Sequence, residues 1–158
     1  MRKRNIPVKK ILIVSGALLV LIQLIRIDKS NPASDPASDF ITATAATPEV
    51  ASLLKASCYD CHSNESTYPW YTNIAPVSWW IKHHIDEGRG ELNFSEWAGY
   101  TSRRQDHKLE ECVEMIEEGE MPMSSYTLVH KEAELNAEQK AKLTAFFNSL
   151  RTHESDQK

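Results

Sequence analysis

The segment Cys58-Tyr59-Asp60-Cys61-His62 constrains the fold of this chain more than any other feature. Two thiols separated by two residues can each form a thioether with a vinyl group on the same edge of a porphyrin, and the imidazole that follows can then bind the iron. A small domain has to pack around such a macrocycle, which then supplies part of its hydrophobic core. The pattern therefore predicts one covalent haem c, attached through Cys58 and Cys61, with His62 as the proximal iron ligand.

Two other uses of a C-x-x-C pair remain open. A redox-active dithiol of the thioredoxin type belongs in a βαβ context, and residues 51–64 show no strand-like alternation. A zinc site needs further ligands, and the sequence has no second C-x-x-C pair, although His83 and His84 are available. The histidine directly after the second cysteine favours haem over both alternatives.

The N-terminal region predicts a membrane anchor. Five Lys and Arg residues lie within residues 1–10, and an apolar run follows at residues 11–27. No small-x-small cleavage site comes directly after this run, which favours retention of the segment. We therefore expect residues 1–10 to form a cytoplasmic basic segment and residues 11–27 to form a single transmembrane signal anchor. This interpretation places the protein in the bacterial inner membrane, single-pass, with its haem domain in the periplasm.

Charge divides the chain near residue 30. Residues 1–30 hold seven Lys or Arg and one Asp, whereas the remainder holds 11 basic and 21 acidic residues, a formal charge of −10. So acidic a region is a poor candidate for binding nucleic acid and is suited to a basic partner. We expect redox protein partners that are basic or membrane-bound, attachment to a membrane through the N-terminal helix, and no nucleic acid.

The remaining chain has helical periodicity and no convincing strand pattern. Residues 28–47 are rich in Ala, Ser, Thr, Asp and Pro and repeat the sequence Pro-Ala-Ser-Asp, so we expect a flexible linker there. Residues 48–152 are predicted to form the haem-binding domain and residues 153–158 a disordered tail. The expected fold class is all-α, a bundle of four to five short helices around one haem, preceded by the transmembrane helix.

Four helices are predicted in this domain from apolar stripes at helical spacing and from their start and stop residues. Gly88 and Gly119 are the expected C-terminal caps of the second and third helices, and Asn136 forms a capping box with Gln139 at the start of the fourth. The aromatic residues in the range 68–80 are candidates for one wall of the haem site or for ordinary core. The expected helices extend from Pro48 to Ser57, from Pro76 to Gly88, from Arg104 to Glu118 and from Asn136 to Leu150.

The sixth iron ligand is predicted in the loop after the third helix. Met121 precedes Pro122 and lies 59 residues after His62, which leaves room for the intervening helices to wrap the ring. A thioether ligand opposite a histidine raises the reduction potential of a c-type haem. Cys112 is interpreted as an apolar residue of the third helix. The alternatives to Met121 as distal ligand are Met123, His84 and His130.

These segments together resemble the bacterial haem-binding domain family of small c-type-cytochrome-like proteins and, more distantly, class I cytochromes c. The resemblance covers roughly Leu53 to Leu150 and rests on CYDCHSNESTYPWYTNIAPVSWW, EGRGELNFSEW and GEMPMSSYTLVHKEAELNAEQKAKLTAFF, in that order. It implies an all-α, cytochrome c-like bundle, covalent haem through Cys58 and Cys61, and proximal ligation by His62. The Met-Pro pair implies Met121 as the distal ligand. The sequence departs from the family pattern at Met123. In the family, a second proline often follows the Met-Pro pair at this position.

Three functions compete for this site. An electron-transfer protein would use a six-coordinate haem to carry single electrons between redox partners. A haem-based sensor or small-ligand-binding protein would need a labile sixth position, with Tyr126 or His130 on the distal side. A peroxidase-type enzyme is least favoured, because we find no second haem motif and no distal acid–base set. We therefore expect a membrane-anchored periplasmic monohaem c-type cytochrome-like electron carrier, with the sensor as the alternative, and no enzyme activity.

Overall fold

The computed structural model describes residues 7–151, and all regular structure in this range is helical. The all-α part of the predicted fold class is therefore confirmed for these residues, whereas residues 1–6 and the predicted tail 153–158 lie outside them. Short 3₁₀ turns cover Trp70–Asn73, Phe94–Gly99 and Lys131–Ala133. The α-helices of the described range are α1 (Val8–Ile22), α2 (Phe40–Ala43), α3 (Pro48–Ser57), α4 (Tyr59–His62), α5 (Val77–Glu91), α6 (Ser102–Glu118), α7 (Ser124–Thr127) and α8 (Ala137–Leu150).

The chain divides into two compact units. Within the described residues, the first comprises residues 7–30 and 68–84, and the second comprises residues 31–67 and 85–151. Helix α1 belongs to the first unit, and α2 to α4 and α6 to α8 belong to the second. Helix α5 contributes its first half to one unit and its second half to the other.

In the first unit, polar side chains just beyond the end of α1 at Ile22 bind a different part of the chain. The Gln23 side chain donates to the carbonyl of Ala75 and accepts from the Ala75 N–H, each at 2.9 Å. Arg26 donates to the carbonyl of Asn73 at 2.7 Å. The N–H groups of Leu24 and Ile25 donate to the carbonyls three residues earlier, so the chain leaves α1 through a tight turn that these side chains tie to residues 73–75.

The prediction of a transmembrane helix over residues 11–27 is wrong. Helix α1 has 15 residues. At 1.5 Å per residue it is about 22 Å long, against a hydrocarbon core of about 30 Å. Within residues 7–151, no helix combines the length and the apolar character that crossing a membrane requires. The same finding contradicts the predicted single-pass location in the bacterial inner membrane with a periplasmic haem domain.

A hydrophobic core with many aromatic rings holds the second unit together. Helix α8 packs against both α6 and α3. Leu54 of α3 and Leu143 of α8 are fully buried in this core, and Leu109 of α6 is 3% exposed. Phe40 of α2, Tyr59 of α4, Phe94 and Trp97 of the 3₁₀ turn, and Phe146 and Phe147 of α8 supply the rings.

Phe40 lies at the centre of this core, which the prediction of a flexible linker over residues 28–47 did not anticipate. Its side chain is fully buried, and its ring centroid lies 4.8 Å from that of Trp97 and 5.0 Å from that of Phe94. Asp39 caps α2 and also accepts a hydrogen bond from the Tyr59 hydroxyl at 3.0 Å. One buried ring and one capping carboxylate thus fix a segment whose average composition is polar.

The predicted helix limits are close to the observed ones, with one exception. Gly119 ends α6 in the left-handed conformation with a φ of 78°, and Asn136 and Gln139 form the expected capping box. Helix α5 begins where expected but runs through Gly88 to Glu91. The prediction that Gly88 is a C-terminal cap is therefore wrong, and this glycine has a different partner.

Candidate functional site

The motif turn, residues 58–62, lies where α3 meets α4. Cys58 ends one helix and precedes the next, and its N–H donates to the carbonyl of Leu54 at 2.9 Å. The N–H groups of Cys61 and His62 both donate back to the carbonyl of Cys58, at 3.2 and 2.9 Å. Both cysteines are free thiols. A single turn of backbone therefore holds the two thiols and the imidazole next to each other.

The imidazole of His62 is oriented by two backbone carbonyls. Its Nδ1 lies 2.9 Å from the carbonyl oxygen of Gly88 and 3.2 Å from that of Leu92. Carbonyl oxygens only accept hydrogen bonds, so we assign the ring proton to Nδ1, which leaves the lone pair on Nε2. Burial lowers the pKa of His62, against the opposing effect of these two hydrogen bonds. The ring is thus neutral at pH 7 with a nitrogen available to a metal, as iron ligation requires.

The second half of α5 positions the motif turn. A Cβ atom at position 88 would lie 2.8 Å from the carbonyl oxygen of Cys61, so only glycine permits this approach of helix and turn. Next to it, Arg89 donates to the carbonyl of Ser63 at 2.7 Å and to the hydroxyl of Ser66 at 2.8 Å. A glycine within a helical pattern is either a cap or a site of close packing. Gly88 is a site of close packing, and its position in the apolar pattern of α5 was the sequence signal for it.

The structure argues against the two alternatives to haem, a redox-active dithiol and a zinc site. Burial raises the pKa of Cys61 to about 11 and that of Cys112 to about 12, and it raises the pKa of Cys58 well above its usual range. A redox dithiol needs a thiolate near neutral pH, which these pKa values oppose. For the part of the chain that the structure describes, no cluster of three or more His, Cys, Asp or Glu side chains is placed to hold a metal ion. A zinc site therefore has no support in the structure.

The two candidate methionines lie in the methionine loop, residues 119–123, which connects α6 to α7. The N–H of Met121 donates to the carbonyl of Met115 at 3.1 Å, and Met123 precedes the first residue of α7. Both methionine side chains are partly buried, and both belong to the same compact unit as His62. Their assignment as distal ligands stays a prediction.

The two candidate histidines fall in different units. His130 shares the second unit with His62, stacks on Tyr126 with ring centroids 4.4 Å apart, and has its Nδ1 3.1 Å from a carboxylate oxygen of Glu132. His84 belongs to the first unit, where its Nδ1 lies 3.0 Å from the carbonyl oxygen of Trp80. The structure therefore groups His130, but not His84, with the motif turn.

The aromatic ring beside His62 was not among those predicted. The rings of His62 and Phe94 have centroids 6.4 Å apart and an edge-on geometry of 69°. Tyr59 stacks on Phe94 at 5.3 Å. The aromatic residues at positions 68–80 belong to the first unit, so their role as a wall of the site stays a prediction.

A hydrogen bond also joins the motif turn to α7. The Tyr126 hydroxyl donates to a carboxylate oxygen of Asp60 at 2.7 Å. The other carboxylate oxygen of Asp60 accepts the N–H of Thr67 at 2.9 Å. No sequence pattern pointed to Asp60, because its partner lies 66 positions away along the chain.

Comparison with known proteins gives one family. The model of a family described as a haem-binding domain matches residues 17–149, most of the chain. The matched range contains the motif turn, the whole of α5 and the methionine loop. No curated protein and no solved structure matches the chain.

Proposed function

This chain belongs to the haem-binding domain family, and from that premise we propose that it holds one haem covalently and carries single electrons between redox partners. Family membership supports haem binding itself. Covalent attachment, a stoichiometry of one and electron transfer are the finer parts of the proposal. They rest on the motif turn and its surroundings.

The residues of the motif turn fit a c-type haem. Cys58 and Cys61 provide free thiols for two thioether bonds, and His62 provides Nε2 for the iron. The observation that carries the proposal is the bonding of the His62 Nδ1–H to two backbone carbonyls, because it fixes both the tautomer and the ring orientation. When bound, the haem supplies one-electron redox chemistry.

The surrounding residues suit an electron carrier. Hydrogen bonds from the proximal Nδ1–H to carbonyls increase the basicity of the ligand, and a thioether from Met121 or Met123 as sixth ligand would raise the reduction potential. With His62 and one of these methionines both bound to the iron, the site would support electron exchange and leave no position for a small molecule. The acidic region beyond residue 30 favours basic redox partners.

Production of the full chain with a c-type maturation system tests attachment. We expect haem to remain with the denatured protein after acid extraction, and to be released from the C58A/C61A double variant. Cys112→Ser is the matched control, since it removes the third thiol and should leave attachment unchanged. Loss of haem from the unaltered protein into the extracting solvent would contradict a covalent bond.

Absorption spectra of the same preparation separate electron transfer from the alternative, a haem-based sensor or small-ligand-binding protein. We expect a methionine–iron charge-transfer band in the oxidised protein and no carbon monoxide binding in the reduced protein. Separate Met121→Ala and Met123→Ala variants then assign the ligand, because only one should abolish the band. Ready carbon monoxide binding by the unaltered reduced protein would favour the sensor.

A further inference from the structure

The contact between Tyr126 and Asp60 joins the two parts of the chain that the proposed haem site needs. Asp60 lies in the motif turn, two residues before His62. Tyr126 lies in α7, and its N–H donates to the carbonyl of Met123 at 2.9 Å. The partly buried bond from the Tyr126 hydroxyl to the Asp60 carboxylate therefore runs from the motif turn to the end of the methionine loop.

Both ends of this contact are held by other groups. The second carboxylate oxygen of Asp60 accepts the N–H of Thr67 at 2.9 Å. The ring of Tyr126 stacks on that of His130 with an interplanar angle of 21°, and the N–H of His130 donates to the carbonyl of Tyr126 at 3.0 Å. Because both side chains are oriented before they meet, little conformational freedom is lost when the bond forms.

The hydrogen bonds within the methionine loop and α7 are mostly local. Met121 donates its N–H to Met115, six residues earlier, and the Thr127 hydroxyl donates to the carbonyl of Ser124 in the same short helix. Leu128 and Val129, which follow α7, are 71% and 61% exposed and bury little surface. The bond to Asp60 is, in contrast, a long-range polar link between this segment and the motif turn.

We infer that the Tyr126–Asp60 hydrogen bond is a latch that keeps the methionine loop beside the motif turn, and that Tyr126 is a positioning residue for the sixth iron ligand. This inference rests on the proposed function, since the latch acts on the methionine that would bind the iron. Removal of the latch leaves the attachment residues and both methionines in the chain. It should therefore change the retention of the sixth ligand and not the haem content.

Tyr126→Phe and Asp60→Ala in the haem-loaded full chain test the latch. For each variant we expect the haem content of the unaltered protein and a weakened methionine–iron band. The fraction of haem without the methionine ligand should be larger by about tenfold or more, the factor that corresponds to loss of a hydrogen bond to a charged group, and this fraction should bind carbon monoxide. Amide hydrogen exchange over residues 120–130 should also accelerate. The Y126F/D60A double variant should match Asp60→Ala, because Tyr126→Phe has no contact left to remove once the Asp60 carboxylate is absent, whereas Asp60→Ala also loses the bond from the Thr67 N–H. Thr127→Val, which removes a neighbouring hydroxyl bonded within α7, is the control and should leave all readouts unchanged.

The outcomes distinguish the latch from the proposed function. If Tyr126→Phe keeps the full band and, like the unaltered protein, binds no carbon monoxide, the latch is refuted and the electron carrier stands. A double variant with a larger effect than Asp60→Ala would also refute it, because it would show that Tyr126 acts separately from Asp60. If the unaltered protein has covalent haem but no methionine–iron band, both the assignment of a methionine as sixth ligand and the latch are wrong.

Discussion

Each of the three residues between Cys58 and His62 has a partner outside the motif turn. The Tyr59 hydroxyl donates to Asp39, the Asp60 carboxylate accepts from Tyr126, and the backbone of Cys61 lies against Gly88. The spacing of the cysteines and the histidine defines the chemistry of attachment. The contacts of Tyr59, of Asp60 and of the Cys61 backbone determine where the turn lies in the fold. We therefore expect substitutions that remove these contacts to destabilise the turn.

Replacement of Gly88 by alanine should destabilise the protein. The new Cβ would lie 2.8 Å from the backbone oxygen of Cys61, and a backbone atom cannot move aside as a flexible side chain can. We expect the free energy of unfolding of the haem-loaded protein to fall by about 1–3 kcal/mol, the usual cost of overpacking. Denaturant titration monitored by circular dichroism measures it.

Gly90→Ala in the same helix is the matched control. A Cβ at that position meets no atom within 4 Å, and alanine is the better helix former, so stability should stay the same or rise by up to about 1 kcal/mol. Equal unfolding midpoints for the two variants would show that the backbone at Cys61 can move away from the new Cβ without a loss of free energy of unfolding.

The stability of α8 depends on hydrogen bonds in its first turn. The Asn136 side chain accepts the N–H of Gln139 at 2.9 Å, and the Gln139 side chain accepts the N–H of Asn136 at 2.9 Å. One turn further on, Lys142 pairs with Glu49 of α3. Because α8 packs against α3 and α6, fraying of this turn would weaken the packing of the second unit.

Loss of the capping box should therefore have a measurable cost. Asn136→Ala removes the acceptor for the Gln139 N–H, and we expect the free energy of unfolding to fall by about 1 kcal/mol. Asn136→Asp keeps a capping oxygen and should retain most of the stability. The measurement is thermal or denaturant unfolding of both variants, and a loss of equal size in both would contradict a role for the cap.

The helix ends that could be predicted are those set by neighbouring residues. Gly119 and the Asn136–Gln139 pair act within one turn, so the sequence around them contains the whole cause. The end of α5 could not be predicted in this way. A glycine after an apolar stripe resembles a cap, but Gly88 lies in the helix because its partner is Cys61, 27 residues away.

The same distinction explains which parts of the site were predictable. Cys58, Cys61 and His62 are adjacent in sequence, so their grouping needed no fold. The groups that orient them come from distant residues, as the bond from His62 to Gly88 shows, 26 positions apart. In the first unit, the apolar run predicted a longer helix, but Gln23 binds Ala75 across 52 positions and leaves that path. Hydrophobic periodicity has no information about such partners.

At the scale of the whole molecule, charge is distributed unevenly along the chain. The formal charge is −4 overall but −10 beyond residue 30, because seven of the 18 basic residues lie in residues 1–30. The motif turn and the methionine loop both lie in the acidic part. We therefore expect a redox partner that approaches the proposed haem site to meet a negative potential, which raises the encounter rate for cations and lowers it for anions.

Electron exchange with small redox reagents should show this potential. For the haem-loaded full chain, we expect the rate with a cationic oxidant to fall by about threefold or more as salt is raised from 0.01 to 1 M, since the screening length shortens from about 30 Å to about 3 Å. The rate with an anionic oxidant should rise over the same range, and that with an uncharged oxidant should stay constant as the control. Stopped-flow absorption at the haem band measures all three. Salt dependences of the same sign for the cationic and anionic reagents would show that the surface near the haem is not negative, and the proposed preference for basic partners would lose its physical basis.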